Sequence, residues 1–115
     1  MDSILTSIKK LLGVDEAYTH FDPDIVMHIN SVLMILHQMG VGPSDGFIIE
    51  DETEVWGDFI PDASPIKLEA VKSYIYLKVR LLFDPPLSSA VIESINRQIS
   101  ELEWRLNVAA ESSII

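Results

Sequence analysis

The sequence predicts an all-α protein, a small four-helix bundle with a long acidic arm between its second and third helices. Apolar residues recur at three- and four-residue intervals through most of the chain. Twice a capping side chain is followed directly by proline, at Asp22-Pro23 and Ser64-Pro65, where the missing amide costs a helix nothing. At 115 residues the chain suits a single domain, and 48% hydrophobic residues are enough to fill one core.

The first helix begins after Asp2 or Ser3, sets Ile4, Leu5, Ile8, Leu11 and Leu12 on one face and stops at Gly13. The second opens with Asp22 as its N-cap and closes at Gly40. Its core face is Ile25, Ile29, Val32, Leu33 and Leu36, while Met27 and Met34 point outward among Asn30, Ser31 and Gln38. The third runs from Ser64-Pro65 to Pro85-Pro86, because proline excludes the preceding residue from the α region. It carries two apolar stripes on nearly opposite sides. Leu68, Val71, Ile75, Val79 and Leu82 form one, and Ile66, Ala70, Tyr74, Leu77 and Leu81 the other. Such a helix must be covered twice, either as the centre of the domain or by the domain on one side and a neighbouring subunit on the other. The fourth starts at Ser88 or Ser89 and runs to about Leu106, with Val91, Ile92, Ile95, Ile99, Leu102 and Leu106 in one stripe. Trp104 lies opposite that stripe, over a neighbouring loop or the Arg97 stem, or as an anchor for a second subunit. From Asn107 to Ile115 no stripe continues, and the segment reads as a flexible tail.

Residues 41–64 form the arm, punctuated by Gly42, Pro43, Gly46, Gly57 and Pro61. Asp45, Glu50, Asp51, Glu52, Glu54, Asp58 and Asp62 give it seven negative charges and no Lys or Arg, out of a formal net charge of −10 for the chain. Phe47, Ile48, Ile49, Val55, Trp56, Phe59 and Ile60 are too much apolar surface for a solvated tail. Part of the arm should therefore pack, as a strand-like segment or a helical turn. Self-repulsion within so acidic a loop predicts that Trp56 and Phe59 become ordered only on assembly.

Composition narrows function mainly by exclusion. Eighteen acidic residues against eight basic ones argue against a broad nucleic-acid or anionic-membrane surface. Zero cysteines exclude disulfides, thiolate metal sites and a thiol nucleophile. His28 and His37 are nine residues apart on one helix and His20 lies outside it, so no two-histidine metal face forms. The Glu50-Asp51-Glu52-Thr53-Glu54 run lacks the register of a calcium loop. Glu101 and Glu103 face different ways and no Glu-x-x-Glu pair joins them, which leaves a magnesium-dependent hydrolase unsupported. Neither a phosphate-binding glycine loop nor a serine elbow occurs. The expectation is a protein without enzymatic activity, metal or cofactor. The longest apolar stretch, Ile25 to Met39, has 15 residues where a bilayer span needs roughly 20, and Met1 to Leu12 does not read as a signal peptide, so the protein is expected to be cytosolic when made.

The segment Leu77-Lys78-Val79-Arg80-Leu81-Leu82-Phe83-Asp84-Pro85-Pro86, followed by Ser88, Ser89 and a helix ending Ile99 to Leu106, resembles the head–tail connector proteins of tailed bacteriophages. These are also called head-completion or adaptor proteins. Met1 to Leu12 with Gly13 and Val14, and the turn Gly40-Val41-Gly42-Pro43, are similar too. Pro85 and Pro86 lack amide donors and fix φ, which breaks the chain rigidly between two helices, and Asp84 is placed to accept from amides freed at the turn. Taken alone, that element is an ordinary stiff helical hairpin turn.

The resemblance implies a structural virion protein located in the head–tail neck and assembled in the host cytoplasm. It implies a ring of copies beneath the portal protein, matched to its twelvefold symmetry, which extends the DNA channel and docks a tail-side neck protein, a stopper or tail terminator. Double-stranded DNA would pass without specific binding, and no membrane is involved. Subunit or portal contacts are then expected at Met27, Met34, Trp56, Phe59, Ile66, Tyr74, Leu77, Leu81, Trp104, Ile114 and Ile115. Glu50, Asp51, Glu52 and Glu54 are expected to face the channel, since an acidic wall repels phosphates. No family motif fixes the arm, so its role rests on composition. A rival of another class is a small acidic helical regulator or inhibitor that binds a basic protein. A DNA mimic would spread carboxylates over a whole face. Here seven cluster in one loop, and the third helix is net positive through Lys67, Lys72, Lys78 and Arg80 against Glu69, a distribution that favours assembly.

Overall fold

The structure, a computed structural model, describes residues 3–114, with side chains through residue 109. Five helices follow one another: α1 (Ile4–Leu12), α2 (Asp22–Gln38), α3 (Trp56–Phe59), α4 (Pro65–Phe83) and α5 (Ser89–Ile114). The four expected helices are α1, α2, α4 and α5, and α3 is a single helical turn inside the acidic arm. Among the described residues the β structure is one isolated antiparallel bridge, Ser3 with Val55.

Local chemistry sets most of the boundaries. Ser3 caps α1 by accepting from the Thr6 amide at 2.9 Å, and Gly13 closes it at φ +81°, a conformation that favours glycine. Ser64 caps α4 by accepting from the Lys67 amide, and Pro65 fills the first helical position. The start of α2 differs from expectation by one residue. Phe21 is the N-cap and Asp22 is already helical, because its carboxylate pairs with Lys9 at 2.8 Å rather than with its own helix's amides.

Helix α4 is the centre of the bundle, packing against α1, α2 and α5, while α1 also packs against α2. Both its apolar stripes are thereby covered within one chain. Val71, Ile75 and Val79 are buried on one side, Tyr74 and Leu77 on the other, and Leu81 is half-buried against the same core. Tyr74 and Leu77 are thus core residues of the single chain rather than subunit contacts, since α5 folds back over them, whereas Leu81 keeps part of its surface. The Tyr74 hydroxyl donates to Glu103 Oε2 of α5 at 2.8 Å, and Lys78 stands over the Tyr74 ring and 3.9 Å from the same carboxylate. Burial, then the bond and charge of Glu103, push the Tyr74 hydroxyl pKa far above its ordinary value, so it stays a protonated donor.

After α4 the Pro85-Pro86 break turns the chain back. The amides opening α5 are satisfied by Ser88, whose Oγ accepts from Val91 and whose carbonyl accepts from Ile92. The side chain of Asp84, expected in that role, lines a surface groove with Lys10 and Arg80. Helix α5 does not end near Leu106 but runs to Ile114. Nothing after Leu106 breaks a helix, and Ala109, Ala110 and Glu111 are good helix formers, so the backbone propagates where the apolar stripe has stopped. At 26 residues α5 is about 39 Å long and outruns the 19 residues of α4. The contacts expected of Ile114 and Ile115 lie outside the described side chains.

Candidate functional site

The arm is fastened to the bundle at three levels. Asn30 of α2 holds the backbone of Ile49 from both sides, its Nδ2 donating to the carbonyl at 2.9 Å and its Oδ1 accepting from the amide at 2.8 Å. The Ile4 amide donates to the Glu54 carbonyl at 3.0 Å beside the Ser3–Val55 bridge. Trp56 Nε1 donates to Ser7 Oγ at 3.0 Å, and that hydroxyl donates on to the Ser3 carbonyl at 2.8 Å. Trp56 and Phe59 are each 1% exposed. They belong to the core of the single chain, which corrects the expectation that they order only on assembly. Gly42, at φ +95°, lies so close to the Phe59 ring that a Cβ there would collide with it.

Self-repulsion does not open the arm because its carboxylates accept from its own backbone. Glu54 accepts from the amides of Glu50 at 2.9 Å and Asp51 at 3.3 Å, and Asp58 accepts from Val55 at 3.0 Å. Asp51 accepts from the hydroxyl and the amide of Thr53, which lower its carboxyl pKa below the usual value, the hydroxyl contributing most. Glu50, Asp51 and Glu52 are exposed, whereas Glu54 is half-buried and staples the loop. Three of the four acidic residues expected to face a channel are therefore presented to solvent, and the fourth orders them.

Asn30→Ala should weaken the fold by about 1–3 kcal/mol, because the substitution leaves the amide and carbonyl of buried Ile49 without their partners. A urea titration measures this, and an unchanged midpoint would mean that water replaces the side chain.

Of the expected contact residues, Met27, Met34, Ile66 and Trp104 are exposed, Ile66 at 85%. Other exposed apolar residues gave no such signal in the sequence. Leu82 fits the core stripe of α4 yet lies beyond the cover of its neighbours, and Leu87 follows the prolines into solvent. At the end of the bundle where α1 and α4 finish, Tyr18, His20, Phe21 and Phe83 touch edge to face or tilted, with centroids 5.1 to 6.1 Å apart. That end is pinned by Lys9, which the apolar pattern of the first helix does not single out. Its ammonium is buried, donates to the carbonyls of Glu16 at 3.0 Å and Tyr18 at 2.8 Å, and pairs with Asp22.

Among the described residues no group of three or more His, Cys, Asp or Glu is placed to hold a metal ion, and no helix is long and apolar enough to cross a membrane. The described residues thus form a small helical bundle that carries an ordered acidic arm and several exposed apolar side chains. A family model described as phage connector protein matches residues 4–113, and the chain belongs to that family. No curated protein and no solved structure matches it. The resemblance read from residues 77–106 together with the opening segment and the turn at 40–43 thus holds over nearly the whole chain. The family is one of structural phage proteins, virion components that interact with portal and tail components. Membership in it weighs against the acidic-regulator reading.

Proposed function

We propose that copies of this chain form a ring beneath the portal, extend the DNA channel and dock the tail-side neck protein, a stopper or tail terminator. Family membership over residues 4–113 is the observation that carries this reading. The exposed Met27, Met34, Ile66 and Trp104 supply apolar area for contacts with the portal, the tail side or a neighbouring copy. Glu50, Asp51 and Glu52 suit a channel wall, since fixed carboxylates repel DNA phosphates and let the duplex slide. A twelvefold ring would match the portal. The free protein assembles in the host cytoplasm and ends in the virion neck.

The test uses Ile66→Glu. The side chain is almost fully exposed, so the purified variant should melt within about 2 °C of the wild type, in line with ordinary surface substitutions. Particles made with it should carry less of the protein in their necks and lose DNA or lack tails. Full neck occupancy and normal infectivity would remove this face from the assembly contacts. Absence of the wild-type chain from purified necks would overturn the reading itself.

A further inference from the structure

We infer that the aromatic end of the bundle, built by the loop after α1, receives an arginine-bearing segment of a different protein, with the guanidinium against Tyr18 and Phe21 and beside the Asp15 carboxylate. This deepens the reading above, on which that protein is a neighbour in the neck.

A shallow pocket of about 550 Å³ opens at this end, lined by Gly13, Val14, Asp15, Ala17, Tyr18 and Phe21. Its size suits one long side chain. Tyr18 and Phe21 are 49% and 37% exposed, with ring centroids 5.6 Å apart and planes inclined at 64°, so they make an open corner rather than a closed stack. Phe21 also meets Phe83 at 5.4 Å, which carries the apolar surface on to the end of α4, where Leu82 is exposed. Apolar surface held open in this way marks a contact face.

The loop is fixed before any partner arrives. Lys9 ties the Glu16 and Tyr18 carbonyls to α1, and the Tyr18 amide donates to the Asp15 carbonyl at 3.0 Å. Asp15 Oδ1 accepts from the Ala17 amide at 2.8 Å, leaving Oδ2 for a ligand. The rings stay exposed because backbone contacts, rather than their own burial, hold the loop. A surface ordered in advance loses little entropy on docking.

Charge selects the occupant. Residues 13–24 contain Asp15, Glu16, Asp22 and Asp24 and no Lys or Arg. Lys9 neutralises Asp22, so three exposed carboxylates remain in the segment that carries the rings. Lys10 and Arg80 lie beyond Gly13, in the separate groove that Asp84 lines, and Arg80 is bonded to the Tyr76 hydroxyl. DNA phosphates and anionic lipid headgroups are repelled from such a surface, whereas a cation gains from both the rings and the carboxylate. Arginine fits better than lysine, because the planar guanidinium stacks on a ring while its N–H groups reach a carboxylate. Another copy is a poor source of that cation. Lys72, Lys78 and Arg105 pair with Glu69, Glu103 and Glu101, and Arg97 lies one helical turn from both Glu93 and Glu101. Two chains of net charge −10 also repel each other.

The probe is a synthetic peptide, Gly-Leu-Arg-Leu-Arg-Gly, titrated in excess into the isotope-labelled full chain at low salt and followed by NMR. Amide shifts should concentrate at residues 13–21. The same peptide with glutamine for arginine should give none, and the lysine version should bind more weakly. Tyr18→Ser and Asp15→Asn should each weaken binding about threefold or more, while Tyr18→Phe should keep it. Both side chains are exposed, and a thermal melt checks that the variants fold. Shifts confined to the more acidic arm at residues 50–54 would overturn the inference, as would Tyr18→Ser binding like the wild type. Self-association lost in Tyr18→Ser, measured by sedimentation, would assign this end to another copy and overturn it too. Full occupancy of purified necks by a chain whose loop ignores the peptide would sink this site and leave the proposed function standing. Peptide binding at the loop of a chain absent from necks would do the reverse.

Discussion

Replacing Lys9 by methionine should lower the melting temperature by about 10–20 °C. The ammonium is 2% exposed and its three donors are matched by three acceptors, the Glu16 carbonyl, the Tyr18 carbonyl and Asp22 Oδ1, all within 3.0 Å. Removing one partner from a buried ion pair typically costs about 3–5 kcal/mol, because the remaining charge and carbonyls keep their desolvation penalty without compensation. In a domain of this size 1 kcal/mol shifts the midpoint by about 4 °C. Asp22 also lies at the first helical position of α2, where the helix dipole favours its charge, so the carboxylate is not wholly stranded and the loss should fall short of unfolding. The double variant Lys9→Met/Asp22→Asn should recover part of it by removing the unpaired charge. Calorimetry of the two variants measures both effects. A shift under about 3 °C for Lys9→Met would mean that water reaches the site. The loop from Gly13 to Phe21 should loosen first, since Lys9 is what ties the Glu16 and Tyr18 carbonyls to α1.

How much of this was legible in the sequence depends on how local the determining interactions are. Ser3, Ser64 and Ser88 cap within three residues of themselves, and Pro65, Pro85 and Pro86 act through their own φ, so four helices could be placed without knowing the fold. The double-sided pattern of α4 correctly said that two covers exist. It could not say that α5 supplies the second cover, because the same periodicity is presented whether the neighbour is a later segment or another subunit. The expectation of subunit contacts at Tyr74 and Leu77 comes from that ambiguity, and their burial under α5 resolves it. Lys9 was illegible for a different reason: two of its acceptors are carbonyls of a loop that no side-chain pattern foretells. Net charge misled in the arm, where seven carboxylates summed to repulsion. Repulsion is offset once Glu54, Asp58 and Asp51 each accept from nearby amides, a pairing that exists only in the folded loop. The helical end of α5 was missed because a stripe reports packing, and a helix continues past its packed face when nothing stops it.

The arm's misreading makes the second large effect a discriminating one. If Trp56 merely waited for a partner, its removal would leave the isolated protein as stable as before. The structure instead buries the indole between α1 and α4, with Nε1 bonded to Ser7 and the Lys72 ammonium 5.5 Å above the ring. Trp56→Ala should therefore cost about 3–5 kcal/mol through lost burial and the cavity left behind, a large share of the 5–15 kcal/mol that ordinarily holds a domain together. Trp56→Phe should cost much less, since an aromatic ring remains and Ser7 Oγ still donates to the Ser3 carbonyl; the loss is then part of the cavity term and one hydrogen bond of about 1 kcal/mol. The alanine variant should also speed amide exchange at Ile4 and Ile49, because the indole is the lowest of the three fastenings that hold the arm against α1 and α2. Urea unfolding of the purified variants, read with hydrogen exchange at those amides, checks the pair of predictions. An alanine variant with an unchanged unfolding midpoint would return Trp56 to the assembly surface. A phenylalanine variant as unstable as the alanine one would show that the Nε1–Ser7 bond, rather than packing, holds the arm.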